Sequence, residues 1–189
     1  MKMSENANIL GFLHAIHPLS DDLRERLQLT LKKEDCKKKT FLLKEGQISN
    51  KVYFIEKGLV RVYYVKDGVE ICSGLLCEGG VLISVKSFFD RARSEEYIQA
   101  LEDLTVYYIS YEELEALYLD LPEFNIAARK LITAYYVKSE ERNYLLRRHT
   151  AQEKISYFQE HFSHLVPRVP RKDIASYLGV ALETLSRLG

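Results

Sequence analysis

Tryptophan is absent from the 189 residues, and cysteine (3), proline (4) and methionine (2) are scarce. The cysteines, Cys36, Cys72 and Cys77, are odd in number and form no CxxC, which excludes a secreted disulfide framework and a four-cysteine zinc site within one chain. They read as small buried side chains. No apolar run approaches the roughly 20 residues of a membrane span. No basic segment followed by an apolar stretch opens the chain, so no secretion signal and no membrane contact are expected, and the protein reads as cytoplasmic. No phosphate loop of the Gly-x4-Gly-Lys kind and no Ser-His-Asp arrangement occurs. All five histidines (His14, His17, His149, His161, His164) lie outside residues 39–110, the β-patterned segment. A metal-dependent cupin-type enzyme needs two or three histidines plus a carboxylate within such strands, so that reading falls and the chain is read as a non-enzyme with no metal.

Net charge is also lacking: 27 basic residues balance 27 acidic ones. The balance is uneven along the chain. Residues 1–142 hold 20 basic and 23 acidic side chains, whereas 143–189 hold 7 and 4. A slightly acidic body with a basic tail fits nucleic-acid contact by the tail.

What is present is periodicity, and its period changes twice. Residues 5–31 read as two helices. Ile9, Phe12, Leu13 and Ile16 recur at helical spacing until His17-Pro18. Ser20 is a good N-cap, Asp21 and Asp22 suit the helix dipole, and Leu23, Leu27 and Leu31 form a stripe. From Lys39 to Ser110 the period is two, with strands over 39–43, 52–56, 59–65, 69–76, 97–101 and 105–110. Asp67-Gly68 between alternating apolar runs is a hairpin signal. Short strands with glycine turns predict an antiparallel roll, interrupted at Gly79–Ser94 by a short helix around 84–89. Then Tyr111–Leu119 reads as a helix, and a long one follows from Pro122 to about Arg148, spanning roughly 35–40 Å at 1.5 Å per residue. Phe124, Ala128, Leu131 and Tyr135 share one face of it. A striped helix of that length asks for a partner, and a second copy is the simplest.

The tail, 149–189, reads as a small helical unit with a helix over 151–161 and two more after Pro170. Ile174, Ala175 and Leu178 give the first of these an apolar face, and Gly179 supplies a sharp turn. Leu185 then buries the inner face of the last helix and leaves Glu183, Thr184 and Arg187 outside. Glu183 can accept from a cytosine amino group and Arg187 can fork onto guanine. Thr184 or Ser186 suits a phosphate oxygen, and Arg171 and Lys172 complete the candidate DNA contacts.

These segments resemble the catabolite-activator/FNR (Crp/Fnr) superfamily of bacterial transcription regulators over nearly the whole chain. The carriers are Lys44-Glu-Gly46, Val52-Tyr-Phe-Ile-Glu-Lys-Gly-Leu-Val-Arg-Val-Tyr63, Ile174-Ala-Ser-Tyr-Leu-Gly179 and Glu183-Thr-Leu-Ser-Arg187. The resemblance implies an α+β fold with three parts. A cyclic-nucleotide-binding-like β-roll (a double-stranded β-helix) flanked by N-terminal helices occupies 1–120. A long dimerisation helix occupies 121–148, and a helix-turn-helix occupies 149–189. It further implies a homodimer on operator DNA, an effector, and RNA polymerase as a further partner.

Three departures from the family pattern shape the expectations. The segment that would hold a ligand (Gly79, Gly80, Val81, Leu82, Ser84, Arg91, Arg93, Ser94) places Ser94 where cyclic-nucleotide binders carry the phosphate arginine. Arg93 comes one residue early, facing the other way, and Glu95 and Glu96 repel an anion. A cyclic nucleotide is therefore disfavoured, and the effector is left unknown. No cysteine precedes Cys36, so the iron–sulfur sensing of the FNR branch is excluded. The last helix ends at Gly189 after about two turns, with Leu182 where the family's first base-reading arginine stands. A short helix frays, which predicts weak DNA affinity or a truncated chain. The rival reading is a ligand-binding or protein-interaction module whose helix-turn-helix has decayed.

Overall fold

The computed structural model describes residues 7–188. Two short helices open it, α1 (Ala7–Ile16) and α2 (Asp21–Thr30). Ser20 caps α2 by accepting from the Leu23 amide at 3.1 Å, and Leu23 and Leu27 are buried. Eight strands follow: β1 (Lys32–Cys36), β2 (Phe41–Leu43), β3 (Lys51–Lys57), β4 (Val60–Lys66), β5 (Val69–Leu76), β6 (Val81–Leu82), β7 (Tyr97–Ala100) and β8 (Leu104–Ser110). They form two antiparallel four-stranded sheets, ordered β1-β8-β3-β6 and β2-β7-β4-β5. Their inner faces close on Leu43, Ile55, Val60, Val62, Leu82, Ile98 and Val106, so the roll interior is filled by side chains.

Two turns show why glycine stands where it does. Gly68 follows Asp67 between β4 and β5 with both φ angles positive (77° and 53°), the geometry that matches strand twist. Gly58, between β3 and β4, has φ 104°, and a Cβ there would lie 2.6 Å from the Asp103 carbonyl oxygen. Only glycine fits.

The short helix α3 (Val85–Phe89) lies in the interruption after β6. Strand β8 then runs without a connecting residue into α4 (Tyr111–Asp120). Ser110 ends the strand and caps the helix, in a capping box with Glu113. α5 (Pro122–Arg148) is the predicted long helix, 27 residues with Pro122 at its start. The tail holds α6 (Ala151–His161), a single 3₁₀ turn at Ser163–Leu165, α7 (Arg171–Leu178) and α8 (Leu182–Leu188).

Two strands escaped the period-two reading. β1 is Lys-Lys-Glu-Asp-Cys, almost wholly polar, because it is an edge strand paired only with β8. β6, two residues long, lies inside the segment read as irregular and pairs with β3.

The face of α5 requires a correction. Phe124 and Ala128 are buried within the protomer, among Leu10, Leu23, Leu114 and Leu117. Leu131 and Tyr135 are half-buried, and the Tyr135 hydroxyl accepts from the Val81 amide at 2.7 Å. The stripe named from periodicity thus faces the chain's own α1, α2, α4 and roll, which need that face to close their own core. The apolar residues that α5 leaves exposed are Ile126, Ile132, Tyr136, Val137 and Tyr144.

Candidate nucleic-acid interface

The tail is built around its own core of Ile155, Phe158, Leu165, Val169, Ile174, Ala175, Leu178 and Leu185. Thr150 caps α6 through a capping box with Glu153. Gly179 ends α7 in the left-handed conformation, φ 62° and ψ 40°, and the Val180 amide donates to the Ala175 carbonyl at 3.0 Å. That turn swings the chain so that α8 crosses α7. Leu185 is buried beneath it, whereas Glu183, Ser186 and Arg187 are exposed and Thr184 is half-buried. Glu183 and Arg187, four residues apart, share the outward face. Leu182 is 42% exposed at the start of the same helix.

Arg171 and Lys172 are also exposed but already engaged. Arg171 donates to the Leu185 carbonyl at 2.9 Å and so ties α7 to α8. Lys172 reaches Glu70 of β5 at 3.4 Å.

The tail is seated on the outer face of the β2-β7-β4-β5 sheet. Sequence reasoning missed this seam. Its centre is Arg61 of β4, whose side chain is 9% exposed. The guanidinium donates to Asp173 of α7 at 3.1 Å, to both oxygens of Glu70 at 2.8 and 3.3 Å, and to Gln99 at 3.1 and 2.8 Å. It also lies 4.2 Å from the Tyr63 ring centroid. Next to a β-bulge at Ser73, the Cys72 amide donates to Ser176 Oγ of α7 at 2.8 Å. At the edge of the seam Arg168 forks onto Glu78 and Glu102, at 2.7–3.0 Å. Those bonds hold the Glu78 carboxyl down at about 2 and also lower that of Glu102. Burial pushes the Cys72 thiol up to about 12, so it stays protonated. The one available signal was Arg61 itself, a charged residue between Val60 and Val62 in an apolar strand.

The residues proposed for a ligand divide into three groups. Ser84 and Ser94 are buried together, their hydroxyls 3.4 Å apart, and Ser84 donates to the Glu96 carboxylate at 3.0 Å. Arg91 turns away from them, donating to the Ser49 and Phe88 carbonyls and to Asn50 Oδ1 and stacking on Tyr111 at 4.0 Å. Arg93 is exposed, Gly79 is exposed, Gly80 and Val81 are half-buried, and Leu82 joins the roll interior. A phosphate placed at Ser84 and Ser94 would meet the Glu96 carboxylate. Beside Val81, an apolar groove of about 470 Å³ runs between α5 and the roll, lined by Phe54, Tyr107, Leu131, Ile132 and Tyr136 among others. Among the described residues no His/Cys/Asp/Glu group suits a metal, and no helix is long and apolar enough to cross a membrane.

Comparison with known proteins adds a sequence match to this geometry. Residues 33–120 match the family described as "Cyclic nucleotide-binding domain". The transcriptional activator protein Anr of Pseudomonas protegens is 26% identical over 186 residues, covering 90% of this chain and 75% of that protein. The chain is similar over 80–90% of its length to curated transcriptional activators, Anr and FnrA, and the family match covers its roll. FixK2 from Bradyrhizobium japonicum superposes on this chain with a TM-score of 0.70 at 24% identity, covering 84% of this chain and 82% of that one. A regulator of the crp/fnr family from Eubacterium rectale does so at 0.70 and 17% identity, covering 94% and 85%. These likenesses show the fold alone: roll, long helix and helical tail. The chain spans about two thirds to three quarters of the length of the curated relatives it matches.

Proposed function

We propose that this chain is a Crp/Fnr-type cytoplasmic transcription regulator, not an enzyme, that binds operator DNA as a homodimer. The observation that carries the reading is the crossing of α7 and α8 at Gly179, which leaves Glu183 and Arg187 exposed one turn apart on a helix anchored by Leu185. A helix so presented fits the major groove. The relatives support it, since Anr and FnrA are named transcriptional activators. The exposed residues Ile132, Tyr136 and Tyr144 on α5 suit a second copy of the same helix.

The test is selection of binding sites from random duplexes with the wild-type chain, followed by a salt titration. An enriched palindrome with half-sites one helical turn apart, and affinity that falls steeply with salt, supports the reading. Arg187→Ala then relaxes base preference in each half-site by about 1–3 kcal/mol. If no sequence enriches, the decayed-tail reading replaces it. The effector, in this proposal, is not a cyclic nucleotide, because Ser84 is already bonded to the Glu96 carboxylate, which repels an anion. Calorimetry against cyclic AMP and cyclic GMP is expected to give no binding heat; a micromolar isotherm would refute that part.

A further inference from the structure

We propose that the Arg61–Asp173 pair is an autoinhibitory latch, holding the first helix of the helix-turn-helix against the roll in a pose poor in DNA affinity. The inference rests on the DNA-binding reading above and names its regulation.

Three observations carry it. The first is charge. The tail's basic residues around the start of α7 are where a phosphate backbone would be met, yet the roll already neutralises two of them. Arg168 is held by Glu78 and Glu102, and Lys172 by Glu70. A phosphate approaching Lys172 would also meet the Glu70 carboxylate, so docking both removes cations and adds repulsion. The second is specificity. The apolar side of the seam, Leu59, Leu75 and Leu101 against the tail core, gives adhesion. Arg61 fixes the register, because its donors are shared among β5, β7 and α7 through Glu70, Gln99 and Asp173.

The third is that the latch is incompletely satisfied. Asp173 is 4% exposed, and its Oδ2 is buried with no hydrogen-bond partner among the described residues. A buried carboxylate oxygen without a donor favours any state in which it regains one, so the closed seam is poised to open. Opening would expose Cys72 as well, since α7 covers it: the residue is 3% exposed and its amide is bonded to Ser176.

The geometry supplies its own lock for the test. Cys72 and Ser176 meet across the seam, the Cys72 amide on Ser176 Oγ, so Ser176→Cys places a second thiol against the backbone of a native cysteine. Affinity for the selected duplex is measured by fluorescence anisotropy with this variant oxidised and reduced. The oxidised, locked protein is expected to bind at least tenfold more weakly than the reduced one, with reductant restoring binding. Equal or tighter binding when locked overturns the proposal; if the two thiols do not bridge, the labelling arm below decides it.

The second arm reads release directly. Iodoacetamide labelling is followed peptide by peptide in wild type, Arg61→Ala and Asp173→Asn. Cys72 should label at least tenfold faster in both variants, while Cys36, inside the roll, stays as slow as in wild type. Unchanged Cys72 labelling overturns the latch. A variant that labels Cys36 equally fast has lost its fold, and the locked protein then decides. In the freed variants the salt slope of DNA binding should steepen by about two, for Arg168 and Lys172. If neither wild type nor the reduced variant binds any duplex, the DNA-binding reading fails by itself, and the labelling arm still tells whether Arg61 holds the tail.

Discussion

Arg142 of α5 lies on the ring of Tyr177, 4.1 Å from its centroid, and donates to the Tyr177 carbonyl oxygen at 2.9 Å. The long helix thereby grips the C-terminal end of α7, where carbonyls lack partners within the helix. Arg142→Ala removes both contacts and is expected to cost the tail about 1–3 kcal/mol. Hydrogen exchange would register this as faster exchange of α6–α8 amides, with those of β3 and β8 unchanged.

Buried and exposed positions of α5 predict opposite phenotypes. Phe124→Ala opens a cavity inside the protomer and should destabilise it by about 3–5 kcal/mol in denaturant unfolding. Ile132→Glu with Tyr136→Glu charges solvent-exposed positions at the rim of the groove between α5 and the roll and should leave the protomer folded, while sedimentation shows loss of the dimer and weaker operator binding. A dimer that survives both charges would place the interface elsewhere.

The Glu78–Arg168 contact sets an acid limit on tail docking. Hydrogen bonds from Arg168 lower the Glu78 carboxyl from 4.5 to about 2. A depressed folded-state value means stability that is fully present above pH 4.5 and lost as pH falls from there toward 2. The stability difference between wild type and Glu78→Gln should therefore be constant above pH 4.5 and shrink below it. Urea unfolding at a series of pH values checks this; a gap that persists at pH 2 would show that the contact acts through shape and not charge.

Gly58 and Gly68 both have positive φ, yet they should differ on substitution. Gly68→Ala meets open space and pays only the conformational penalty of about 1–2 kcal/mol. Gly58→Ala must also displace the Asp103 carbonyl, 2.6 Å away, and should cost clearly more in the same unfolding experiment.

The sequence made the roll legible because its interior takes alternate residues, Tyr53 and Ile55 of β3, Val60 and Val62 of β4, Leu104 and Val106 of β8, which writes period two into those strands. The helix-turn-helix was legible for a similar reason: Gly179, Ala175 and Leu185 are local requirements of a close crossing. What stayed hidden depends on contacts between distant residues. Arg61 and Asp173 lie 112 positions apart, and nothing near either one names the other. Periodicity showed that α5 has apolar faces but not which one its own roll would claim. β1 is stabilised by side-chain links such as Lys51 to Glu34 at 2.9 Å and Thr105 to Asp35 at 2.6 Å, and so carries no apolar alternation.

Ser110 has a further consequence. As the same residue closes β8 and opens α4, no flexible joint separates the central strand of one sheet from the helix beyond it. A displacement of β8 is therefore handed directly to α4, and Leu121 and Pro122 form the first joint before α5 and the grip of Arg142 on the tail.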